Sequence, residues 1–403
     1  MTGVLTDTPS DDRLERVAYI SLLGFAAALQ VSIAAANILL GLTALLWLVL
    51  VMSRRERVEV PSFFWWLAAY AGWTIVAAIF SIDPATSIRD SKQLLLFAVV
   101  PIAFRLLRGD RSLVAIDVVI SVAALSAAIG IIQFGILKWN TPDQRPQGAL
   151  GMYMTYSGQL MLVACVAVAR ILFWPKERIW PLLVLPALIF ALTVTLSRNA
   201  WVGAGAGIGL LLLFRDFRLL GILPVLLALF VALAPQHISE RLTATFQTQP
   251  QAGGSDTTTA TVQSNQDRIA MAKSGIRMIK DRPITGVGPD MVMELYPVYR
   301  DKTAVKQLAV HLHNVPLQIA AERGLPALVL WFGFVFALVR GYFRRSAVPS
   351  WVFLSNAGLA CVAAMLAAGM FEYNFGDSEF LMLFLLLVTL PYAAARGRTH
   401  GAA

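Results

Sequence analysis

Charge is scarce in this chain. Asp, Glu, Lys and Arg make up 14% of its 403 residues, where a soluble domain carries about a quarter. Hydrophobic residues make up 58%, and the mean hydropathy is +0.68. A soluble core cannot hide that excess, so a soluble enzyme, a disordered tail and a nucleic-acid-binding domain are excluded. Cysteine is nearly absent. Cys165 and Cys361 lie in apolar stretches, have no metal-ligand spacing and give no disulfide framework. Histidine occurs four times. The apolar runs hold almost no ionisable group at their centres, since Asp117 and Arg105 lie toward run ends. An ion-coupled transporter keeps such groups at mid-membrane depth, so their lack counts against transport.

What is present is a series of long apolar runs. A spanning helix needs about 20 mostly apolar residues. Twelve segments are candidates: 17–33, 36–52, 62–81, 92–107, 113–136, 151–174, 179–196, 200–214, 218–235, 324–343, 351–371 and 378–395. The expected fold is an all-α polytopic membrane protein. The first two segments, separated by Ala34-Ala35, read as a tight hairpin whose first arm is a retained span. The net charge of +9 is spread between runs. With the N-terminus in the cytoplasm, the cytoplasmic connections and tails carry eighteen Lys and Arg. The short external loops carry five: Arg89, Lys92, Lys138, Arg145 and Arg198. That bias predicts both termini in the cytoplasm.

Three parts follow: helices 1–9 over 1–235, a long external loop over 236–323, and helices 10–12 with a tail over 324–403. Within the loop, 247–266 is poor in apolar residues and reads as mobile. Ser264 and Asp267 suggest a capping box. Ile269, Ala272, Ile276 and Ile279 then form one apolar face of a helix over 266–280. Pro283 ends it. The turn Gly286-Val287-Gly288-Pro289 leads into a short helix over 290–298. A third helix starts near Asn314, with Pro316 in its first turn, and runs to Gly324. The apolar faces predict a loop lying back on the bundle.

Polar chemistry gathers in the external connections, at Arg145, Arg198, Arg268, Arg282, His311, His313 and Glu322. Arg198 sits in a short turn ending in Trp201. Its planar fork suits phosphate, and an interfacial anchor fits equally well. Arg268 falls in the first turn of its predicted helix, where the macrodipole disfavours a cation. An anionic ligand would explain it, as would simple solvation. His313 precedes a helix N-terminus, which favours the neutral imidazole of a general base and offers N–H groups to an anion. A structural histidine fits the position too. The His311/His313 pair is spaced for a metal, but no carboxylate stands at a recognisable spacing as third ligand. Tyr153 and Tyr156 read as sugar-stacking or as interfacial aromatics. The glycines from Gly203 to Gly209 lack a phosphate-loop ending and read as a helix-packing face.

These pieces resemble the O-antigen ligase family, which includes O-antigen polymerases and related membrane glycan transferases. Three elements match in order. They are the Ser197-Arg198 turn ending in Trp201; the Arg268 helix followed by Asp281-Arg282-Pro283 and Gly286-Val287-Gly288-Pro289; and His313-Asn314 with Leu317, Glu322 and Gly324. The motifs cover about 195–325. Met271 and Ala272 depart from the pattern, standing where family members often carry a tryptophan. His311 has no role to carry over.

The resemblance implies a GT-C-like helical glycosyltransferase of the bacterial inner (cytoplasmic) membrane, working without metal or cofactor at the periplasmic face. The donor would be a glycan on undecaprenyl pyrophosphate. The acceptor would be a sugar hydroxyl of lipid A–core oligosaccharide, giving lipopolysaccharide. The other partners would be membrane lipids, with no nucleic acid. The residues fit that chemistry. His313 is the expected base, and Arg198 and Arg268 the expected catalytic cations. Arg145 and Arg282 are further phosphate candidates. Asn314 and Tyr156 are substrate-binding candidates, and Glu322 would orient His313 or cap a helix. An O-antigen or exopolysaccharide polymerase is the nearer alternative, and a transporter or channel the more distant one.

Overall fold

The computed structural model describes residues 9–141, 144–221, 224, 256–345 and 351–396. Among these the protein is all-helical, with no strand. The α-helices are α1 (Pro9–Ala28), α2 (Ile33–Ser53), α3 (Phe64–Ile79), α4 (Pro84–Asp90), α5 (Val99–Leu106), α6 (Arg111–Gly135), α7 (Tyr153–Phe173), α8 (Ile179–Val194), α9 (Arg198–Arg215), α10 (Asp256–Asp281), α11 (Val292–Tyr299), α12 (Val315–Arg345), α13 (Val352–Gly369) and α14 (Ser378–Arg396). Six of them, α2, α6, α7, α12, α13 and α14, are long and apolar enough to cross a membrane. The sixteen-residue α3 and α8 are apolar but shorter. At 1.5 Å per residue each reaches about 24 Å, less than the ~30 Å of a hydrocarbon core. The chain is a multi-pass membrane protein.

Six helices of spanning length thus stand against twelve expected segments. Helices lie over eleven of those segments. The ninth, 218–235, lies outside the described residues beyond Gly221 except at 224, and 247–255 of the loop lies outside them too. The hairpin turn falls at Leu29–Ser32 rather than at Ala34-Ala35, because Ser32 caps α2 by accepting the Ala35 N–H. The segment 92–107 is not one helix. A 3-10 stretch, Ser91–Ala98, precedes α5, and Pro101 sits in the first turn of α5, where its missing N–H costs least.

The glycine run packs as expected. In α9, Gly203 and Gly207 face α13 so closely that an added Cβ would stand 2.8 Å from the carbonyl oxygens of Ala364 and Ala360. Several arginines that set the charge bias have partners the sequence did not reveal. Buried Glu15 takes Arg54 at 2.9 Å and Arg111 at 2.7 Å, and Arg105 bridges it to Glu56. Buried Arg170 holds Asp117 and Glu177.

The segment from α10 to the start of α12 has its own apolar core of Met271, Met278, Val287, Met291, Val292, Tyr296, Leu312 and Ala321. Three loop expectations are corrected. First, α10 begins at or before Asp256, so 256–266 is helical, with Thr261 and Val262 buried. Second, Asp267 is therefore no cap. Its Oδ1 instead accepts the N–H groups of Val305 and Lys306. Third, Ile269 and Ile276 face outward, and Met271, Ser274 and Met278 face the core. Small residues decide that choice. Gly275 lets Leu312 and Leu317 approach, and Ser274 Oγ accepts the Asp301 N–H.

The expectation that this region lies back on the bundle is met. The Ile82 N–H donates to the Val287 carbonyl, Ser87 Oγ donates to the Pro289 carbonyl, and Trp73 Nε1 donates to the Arg323 carbonyl.

Candidate functional site

Five segments converge on one cavity of about 210 Å³. Its lining includes Arg145 from the α6–α7 connection, Tyr153 opening α7, Arg198 and Asn199 opening α9, Ser264, Asp267, Arg268 and Met271 of α10, Lys306, and His313. Residues far apart in sequence meet because the starts of α7 and α9 and the middle of α10 line the same cavity. Arg198 is the first residue of α9, after Ser197 in an extended conformation and Leu196 at φ 56°. Arg268 lies twelve residues into α10, so the argument that placed it against the helix dipole does not apply. The Arg145 guanidinium stacks over the Tyr153 ring, 4.4 Å from its centre.

The electrostatics point one way. Arg145, Arg198, Arg268 and Lys306 face a cavity whose one carboxylate, Asp267, is engaged by backbone N–H groups. Burial, then the charges of Arg268 and Arg145, lowers the Arg198 guanidinium to about 10. Burial also lowers Arg268, against the opposing pull of Glu372. Both stay charged at neutral pH. Gathering like charges in a half-buried cavity costs folding free energy that an anionic ligand offsets.

His313 stands at the edge of this cavity with its backbone at φ 50°, an uncommon conformation for a non-glycine residue. The reason lies on both sides of it. Asn314 caps α12, its Oδ1 accepting the Leu317 N–H at 2.9 Å, and its Nδ2 donates to the Met370 carbonyl. His313 is thereby turned toward Glu372, from the α13–α14 connection, whose Oε2 is 2.9 Å from His313 Nδ1. The His313 backbone N–H donates to His311 Nδ1 at 3.3 Å, and His311 Nε2 lies 3.4 Å from Glu372 Oε1. This pattern puts the His311 proton on Nε2 and the His313 proton on Nδ1. His313 Nε2 is then the basic nitrogen. Burial raises the Glu372 carboxyl, but the His313 hydrogen bond and the two imidazoles outweigh it and hold it below the usual carboxylate range. Burial, together with the charges of His313 and Arg268, pushes His311 down to about 4 despite Glu372.

The sequence-derived candidates divide. His313, Arg198, Arg268 and Arg145 meet in the cavity. Arg282 does not, and donates to the Phe80 carbonyl at 3.2 Å. Tyr156 is buried, its hydroxyl donating to the Ser126 carbonyl at 2.9 Å. Asn314 spends its side chain on the cap. Glu322 lies in a separate polar cavity, accepting from the Asp290 N–H and Gln318 Nε2. It does not orient His313, because Glu372 does. Glu372 was not foreseen, since fifty-nine residues separate it from His313. Its only sequence signal is an acidic residue at the end of an apolar run, at Phe371-Glu372-Tyr373.

No curated protein matches the chain. Residues 183–332, which include Arg198, Arg268 and His313, match the family model described as O-antigen ligase.

Proposed function

We propose that the protein transfers a glycan from undecaprenyl pyrophosphate to a sugar hydroxyl of lipid A–core oligosaccharide, at the periplasmic face of the inner membrane. The observation that carries this reading is the meeting of three arginines and a carboxylate-oriented histidine in one cavity. The arginines bind the pyrophosphate bidentately and stabilise the charge that builds on it. The acceptor oxygen attacks the anomeric carbon as the bond to the phosphate oxygen breaks. The bonding pair leaves with the pyrophosphate, and the hydroxyl proton passes to His313 Nε2. Glu372 steadies the imidazolium formed. Single displacement inverts the anomeric centre. The cationic cluster takes the place of a divalent metal, and the α-helical bundle carries the site in the manner of a GT-C enzyme.

The test is transfer in proteoliposomes from a defined undecaprenyl-pyrophosphate glycan, with lipid A–core and a lipid-linked repeat offered side by side. Product on lipid A–core that survives EDTA is expected. Product on the lipid-linked repeat alone would make the protein a polymerase. Full transfer by His313→Ala would remove the base assignment.

A further inference from the structure

The pair His311/His313 lacked a third ligand in the sequence, and the fold supplies one. His311 Nε2, His313 Nδ1 and a Glu372 carboxylate oxygen all lie within 4.8 Å of one another. The two nitrogens stand 3.4 and 2.9 Å from the carboxylate oxygens. Ligands at 2.0–2.2 Å around a tetrahedral Zn2+ lie about 3.3–3.5 Å apart, so small side-chain adjustments complete the geometry.

We propose that these three residues form a binding site for a divalent transition cation of the Zn2+ or Co2+ kind, and that its occupation blocks proton acceptance by His313. Two imidazoles and one carboxylate are a donor set for such borderline cations and a poor one for Mg2+ or Ca2+. Glu372 is buried beside both imidazoles, so the fold already holds the carboxylate where a third ligand is needed. A second cavity, bordered by His311, Glu372, Thr155 and Asn199, opens beside two of the three ligands and gives a cation a route to them. The nearby Arg268 charge opposes the cation, which makes the binding reversible.

Blocking follows from the tautomer. A metal on Nδ1 of neutral His313 requires the ring proton to sit on Nε2. Nε2, the nitrogen not held by Glu372, becomes a donor and can no longer accept the acceptor's proton. His311 makes the same shift, with its proton moving to Nδ1, and loses the 3.3 Å contact from the His313 N–H. No proton is released, and the site gains the charge of the metal. The blocking step rests on the proposed role of His313, whereas the binding site does not.

The experiment uses the full-length purified protein in nanodiscs. Co2+ is titrated by its visible absorption and Zn2+ by calorimetry, with Mg2+ as control. One Co2+ per chain is expected, with tetrahedral-type bands, displaced by Zn2+ and not by Mg2+. Affinity should fall at least about tenfold in His311→Ala and in Glu372→Gln, as loss of a ligand requires. Equal Co2+ binding by wild type and His311→Ala, or none by wild type, overturns the site. In the transfer assay Zn2+ should inhibit wild type, EDTA should reverse it, and His311→Ala should resist. Metal bound without inhibition overturns the blocking step. Metal bound by a protein that transfers no glycan upholds the site and refutes the proposed function instead.

Discussion

Glu372 Oε2 lies 2.9 Å from His313 Nδ1, joining the α13–α14 connection to the residue before the α12 cap. That contact fixes which imidazole nitrogen is basic, and its loss should fall on the chemical step. Glu372→Gln keeps the size but removes the charge that steadies the imidazolium. A fall in kcat of about 10²–10⁴-fold is expected, with the donor KM little changed. Steady-state transfer kinetics check it. A Glu372→Gln enzyme with wild-type kcat would falsify the orienting role.

The cation cluster makes a second prediction, with its control in the same chain. Arg198→Ala and Arg268→Ala should each lower transfer by about 10²–10³-fold, the usual loss when one charge-stabilising donor is removed. Arg198→Lys should recover only part, because an ammonium cannot reproduce the two-bond fork. Arg282 lies outside the cavity on the Phe80 carbonyl, so Arg282→Ala should change activity by only a few-fold. An Arg282 effect as large as that of Arg268 would contradict the division of the arginines.

His311 predicts a pH effect on stability. Its folded value of about 4 lies below the ordinary 6.5. Between those two values the unfolded chain binds more protons than the folded one, so stability rises with pH across that window. His311→Ala removes this linkage. Its thermal midpoint should therefore fall less than that of wild type as pH drops from 6.5 to 4. Parallel midpoint curves for the two proteins would show that His311 titrates normally.

These residues also show what could be read in advance. Apolar runs and the arginine bias specify a helical membrane protein because both are local patterns. Arg198 and His313 stood out because each is polar in a short connection beside an apolar run, whereas Arg268 was singled out by a helix-dipole argument that the start of α10 at Asp256 removes. Glu372 was not legible, since its role depends on a contact made between helices. The outward face of α10 misled for a related reason. Ile269 and Ile276 have the right period, but Gly275 and Ser274 let the neighbouring chain approach on the other side. Tyr156 and Glu322 looked functional by residue type and position, and only packing shows their side chains engaged elsewhere.

Gly324 links the fold to the site. Its φ of 80° interrupts α12, and an added Cβ would stand 1.9 Å from the Ile284 carbonyl oxygen. The turn it touches is bound to α12 by the Val287 N–H on the Ala321 carbonyl and the Gly288 N–H on the Glu322 carbonyl, each 2.9 Å. Gly324→Ala must therefore adopt a disfavoured backbone conformation and displace that turn. A loss of roughly 2–4 kcal/mol is expected. The turn holds the N-terminal half of α12, whose cap positions His313, so activity should fall further than the stability loss alone explains. Thermal unfolding in nanodiscs, paired with kcat measured well below the midpoint, separates the two effects. If kcat at low temperature matches wild type, Gly324 serves stability and has no part in placing His313.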